Sequence, residues 1–122
     1  MIGNHTVLNG LRQLMTLDEK EAENALPLCS LCLNEIKKRL REGADENDSR
    51  IASCAAALAF YRIAIRNAVD SQGTTSFKAG DVTVSRSPAA AVELAVAVRD
   101  EAFAAAADLI EDQSFVFRQV GV

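Results

Sequence analysis

DSRIASCAAALAFYRIAIRNAVDS, residues 48–71, is the stretch whose reading decides the fold. No glycine or proline interrupts it, and its wealth of Ala, Leu and Ile makes it a helix. At 1.5 Å per residue it spans about 36 Å, the width of a small domain. Its polar stripe is narrow: Arg62, Arg66 and Asp70, each four apart. Ile51, Cys54, Leu58, Tyr61, Ile65 and Val69 form one apolar face, and Ala57, Phe60, Ile63 and Ala64 most of another. A helix that is apolar nearly all round is buried on more than one side. The expectation is the central helix of a small bundle, or one that also meets another subunit.

The surrounding chain suits such a bundle. Its 122 residues fit a single domain, 1–122, able to bury a modest core without metal or disulfide staples. The hydrophobic fraction is 49 %, dominated by Ala, with no Trp and one Tyr. Ala-rich helices pack closely but bury little apolar area per residue, which favours an oligomer with a second interface. The net charge of −4 argues against broad nucleic-acid binding, which needs a basic surface. No run of about 18 apolar residues exists to span a membrane. The N-terminal MIGNHTVLNGLRQL lacks the order of a signal peptide, so the expected location is the cytoplasm. Three cysteines, an odd number, fit free thiols in a reducing compartment.

Outward from the centre, the spacing predicts about four helices and one extended arm. Val7, Leu8, Leu11, Leu14 and Met15 lie at helical spacing. Thr16-Leu17-Asp18-Glu19 matches a capping box. Pro27 should divide the next segment into a short helix from about Leu17 to Asn24 and a second from Pro27 to Glu42. Lys37, Lys38, Arg39 and Arg41 suit the negative end of that second helix, and Gly43 its C′ position. Asn47 or Asp48 caps the central helix. Residues 76–87, SFKAGDVTVSRS, read as a β-hairpin or extended arm turning at Ala79-Gly80-Asp81. Ser87-Pro88 opens a last helix reaching about Glu111, whose outer face carries Glu93, Asp100, Asp108 and Glu111. The tail, with Phe115 and Phe117 against Val116 and Arg118, alternates like a strand.

Little in this pattern suggests chemistry. Cys29-Ser30-Leu31-Cys32 is a C-x-x-C, readable as a redox pair or, with Cys54 and His5, as half of a zinc site. The strand-to-helix setting of a thioredoxin-type pair is absent, and the other two zinc ligands would be single and far apart. Buried cysteines acting as small hydrophobes are the expected reading. His5 is the only histidine, so a Ser–His or Cys–His nucleophile pair needs it. No enzyme activity, cofactor or metal is expected. The candidate functional residues are subunit-interface positions: Arg62 and Arg66 on the central helix, and Glu93, Asp100 and Asp108 on the last. Complementary patches of this kind fix orientation and register.

The order of these parts resembles the head–tail connector (adaptor, or head-completion) proteins of long-tailed bacteriophages. A short acidic helix leads to a Leu-rich helix, then a long Ala-rich helix with the pair Phe60-Tyr61. An arm, S-F-K-A-G-D-V-T-V-S at 76–85, and a last Ala-rich helix come after it. In that family a similar segment, with a basic residue, Gly-Asp and alternating Val and Ser, comes after the long helix. The likeness spans most of the chain in layout and about ten residues in motif; Phe115–Arg118 and the cysteines are not part of it. It implies no catalysis. It implies a ring homo-oligomer beneath the portal, partnered by the portal protein and a tail-side protein, with DNA only passing through the channel. It also implies assembly in a bacterial host and a place in the virion. The arm residues Phe77, Lys78, Asp81, Val82 and Val84 then join the interface candidates. The alternative expectation is a small cytoplasmic helical dimer serving as a protein-binding or regulatory module.

Overall fold

The structure, a computed structural model, describes residues 3–70, 75–79, 82–86 and 88–110. The helices are α1 (Asn4–Leu14), α2 (Glu19–Lys38), α3 (Ser49–Asp70) and α4 (Pro88–Ala105). Between α3 and α4, the backbone of β1 (Thr75–Ala79) pairs antiparallel with β2 (Val82–Arg86), Phe77 opposite Val84. α1, α2 and α4 each pack on α3, so the chain is a small helical bundle built around the helix expected at its centre.

Burial explains that arrangement. From Ile51 to Ala64 only Ser53 is exposed, and only Tyr61 and Arg62 are half-buried. Ala55, Ala59, Cys54 and Ile51 are fully enclosed. Small side chains let the neighbouring backbones come close: a Cβ placed on Gly10 of α1 would stand 3.0 Å from the Ala56 Cβ. Larger apolar groups fill the remaining space, with Val7 and Leu11 from α1, Cys32 and Ile36 from α2, and Phe103 from α4.

Three local expectations are corrected. First, the residue that caps α2 is Asp18 and not Thr16. The Asp18 carboxylate accepts from the Glu21 N–H at 2.7 Å, and the Glu21 carboxylate accepts from the Asp18 N–H at 3.1 Å. Met15 is still tied to α1 through its N–H to Leu11 O at 3.0 Å, so Thr16 and Leu17 form the link. Second, α2 runs unbroken through Pro27. Pro27 and Glu23 lie on the exposed face, where water can take the Glu23 carbonyl that a proline leaves without its helical donor. The buried row Ala22, Ala25, Cys29, Cys32 and Ile36 is continuous on both sides and holds the helix together. Third, both α2 and α4 stop early. Leu40 leaves the helix to pair with Ile110, and the Arg41 N–H reaches Leu109 O at 2.7 Å. Gly43 takes its positive φ of 85° in the loop beyond and not as the residue that ends α2.

The end of α4 is held by two arginines, as a negative helix terminus favours. Arg41 donates from Nε and Nη2 to Ala107 O at 3.3 and 3.2 Å. Arg50 donates to Ala105 O at 3.0 Å and to Asp108 Oδ1 at 2.8 Å. Arg50 also forks onto Asp48, the residue that caps α3 by accepting from the Arg50 N–H at 2.9 Å. One guanidinium thus joins the start of α3 to the end of α4. The expected Ser87 cap, the Gly80-Asp81 turn and the tail from Glu111, including Phe115–Arg118, lie outside the described residues.

This packing makes two testable demands. Phe103 is completely enclosed, so Phe103→Ala should lower the unfolding free energy by about 3–5 kcal/mol in urea titrations. The Arg50 hydrogen bonds hold the Asp48 carboxyl down at about 2, against an ordinary 3.8, and lower that of Asp108. A lowered carboxyl pKa stabilises the fold above about pH 4, and that contribution is lost as the pH falls toward 2. Melting temperatures between those values should fall more steeply in the wild type than in Arg50→Gln.

Candidate functional site

The structure engages several of the expected interface charges within the chain. Arg62 of α3 reaches across to α2, where it forms an ion pair with the Glu35 carboxylate and donates to Cys32 Sγ at 3.6 Å. Asp100 pairs with Arg99 at 3.2 Å, and Asp108 with Arg50. The row of charges on a helix does not reveal whether the opposite charge comes from the same chain; here it does. Arg66 is exposed and borders a cleft of about 230 Å³ with Met15, Glu21, Ala25 and Ile63. Glu93 is exposed on α4. Phe77, Lys78, Val82 and Val84 lie on the paired backbone of β1 and β2, and Asp81 lies outside the described residues.

Arg99 interrupts an apolar row in the sequence, yet it is 5 % exposed. Its guanidinium sits 4.2 Å from the centre of the Tyr61 ring, a cation–π contact across the α3–α4 seam. Nε and Nη2 both donate to Asp100 Oδ1. Buried charge is thereby hydrogen-bonded and stacked, which offsets its loss of water.

Two surface features were not singled out by the sequence. The first is a ridge of exposed apolar groups: Leu31 at 54 %, Ile65 at 37 % and Val69 at 76 %. Leu31 lies one turn from Glu35 on α2; Glu35 meets Arg62; and Arg62, Ile65 and Val69 share a row on α3. The three therefore border one side of the bundle. The sequence placed Ile65 and Val69 on a buried face because helical spacing cannot tell where the neighbouring helices end. The second is a groove of about 440 Å³ between α1 and α4. Ala56 and Ala57 of α3 form its floor, Leu14 lines the α1 wall, and Val98, Ala102 and Glu101 line the α4 wall.

The three thiols are fully buried and unbridged. Burial pushes Cys32 up to about 11 and Cys54 to about 12, and raises Cys29. Cys54 Sγ lies 3.4 Å from Ala102 O, inside the α3–α4 contact. His5 is exposed on α1. Among the described residues no group of three His, Cys, Asp or Glu side chains is placed to hold a metal, and no helix is long and apolar enough to cross a membrane. Comparisons with protein families, with curated proteins and with solved structures find no match.

Thiols of this kind are scarce as thiolates at neutral pH and shielded from reagents. A disulfide-exchange reagent at pH 7.5 should label none of the three rapidly in the folded protein and all three in denaturant. Rapid native labelling of Cys29 or Cys32 would indicate an accessible pair.

Proposed function

We propose that the chain is a structural, non-catalytic subunit of a phage or prophage head–tail connector. It oligomerises into a ring beneath the portal and joins the capsid to the tail. The observation that carries this reading is the exposed ridge of Leu31, Ile65 and Val69, which are the exposed large apolar groups among the described residues. Single exposed apolar residues are ordinary, and a group of them on one side supports docking there. The resemblance of the chain's layout, and of its segment 76–85, to connector proteins supports the choice of partner. Neighbours in the ring are further copies, the portal lies on one side and a tail-side protein on the other. DNA passes through without being held, which suits a chain of net charge −4, since phosphate binding draws on Lys and Arg. Assembly takes place in the bacterial cytoplasm and the product is a virion component.

The test is genomic and then physical. The gene should lie beside portal and capsid genes. Co-expression with that portal should give portal particles carrying an added ring, seen by electron microscopy. A gene set with neither portal nor capsid overturns the reading. A stable dimer that ignores the portal points instead to a small protein-binding module.

A further inference from the structure

The ridge and the groove lie on different sides of α3. Ala56, in the groove floor, and Ile65, on the ridge, are nine residues apart; at about 100° per residue that is half a revolution or so, and about 13 Å along the axis. The two features also match each other. The ridge offers branched aliphatic side chains with the exposed cation Arg66 beside them. The groove is lined mainly by Ala, Leu and Val, and its wall carries the exposed anion Glu101. Its small floor residues leave room for side chains of the size of Ile65 and Val69.

From this pairing of shape and charge we infer that the ridge of Ile65 and Val69 on one copy seats in the α1–α4 groove of the next, with Arg66 facing Glu101. The inference rests on the connector reading and names the contact between its subunits. The occupant of the groove is a second copy of this chain. Because the two faces differ, the contact is heterologous: each copy gives a ridge and receives one, so repetition builds a ring or an open helix and not a closed dimer. Arg62, engaged with Glu35 inside the chain, frames the ridge without taking part.

The experiment uses the full-length protein, wild type and two variants, Val69→Asp and Glu101→Arg. Both positions are exposed, so both variants should keep the wild-type fold and melting behaviour. Val69→Ser serves as a milder ridge variant should Val69→Asp lose structure. Light scattering after size exclusion should show wild-type mass rising beyond a dimer with concentration. Each variant alone should associate about 10-fold more weakly or less, because each has one damaged face. An equimolar mixture should give a 1:1 dimer and nothing larger, since one partner keeps its groove and the other its ridge.

Wild type that stays monomeric across the concentration range overturns the contact. So does a variant that assembles like the wild type, including assembly of Glu101→Arg alone, which would mean ridge-to-ridge pairing or another occupant. Portal-bound rings that survive both substitutions remove this contact and leave the connector reading standing. The ridge–groove contact in a protein encoded without a portal does the reverse.

Discussion

The enclosure of α3 is the constraint on which the bundle depends. A helix with Ala, Cys, Leu and Phe on nearly every side cannot face water, and three other helices are arranged to prevent it. The means is small side chains. Gly10 lets α1 lie almost against Ala56, and Ala91 and Ala95 of α4 are fully enclosed. Alanine contributes little apolar area per residue, so the core gains its bulk from a few large groups such as Phe60, Phe103, Leu11 and Ile36. Close approach and large fillers are thus complementary solutions to one packing problem.

The same enclosure sets where polar groups go. Four arginines tie helices together. Arg50 links the cap of α3 to the end of α4, Arg41 completes that end, Arg62 joins α3 to α2, and Arg99 lies on Tyr61. Each guanidinium extends from a long apolar stem that can cross a helix seam and still present its charged head to an acceptor. Several charges that could have met a neighbouring molecule are therefore already engaged. What remains for assembly is mainly apolar, at the far end of α3 where the covering helices no longer reach Ile65 and Val69, with Arg66 exposed beside them.

Much of the fold was legible because its signals are compositional and periodic. The uninterrupted run at 48–71 marked the central helix, and α3 occupies Ser49–Asp70. The acidic turn after Leu17 marked a helix start, but Thr16 and Asp18 both open a capping box two residues apart, and only the tie of Met15 to α1 selects Asp18. Pro27 read as a break because sequence does not show that it lies on the wet face of a helix held by its other side. The candidate site was less legible. Spacing identified Arg62, Asp100 and Asp108 as charges in search of partners, but pairing within the chain engages them, across helices for Arg62 and Asp108 and with the adjacent Arg99 for Asp100. The groove was invisible, since it arises from α1 and α4 standing apart over Ala56 and Ala57.

The Tyr61–Arg99 contact has a spectroscopic consequence. Tyr61 is the only tyrosine, and the chain has no tryptophan. Its near-ultraviolet absorption and emission therefore come chiefly from a single phenol ring, lying under a cation at the seam of α3 and α4. The protein carries its own optical gauge at that seam, and parting of the two helices changes the light it emits without any added label.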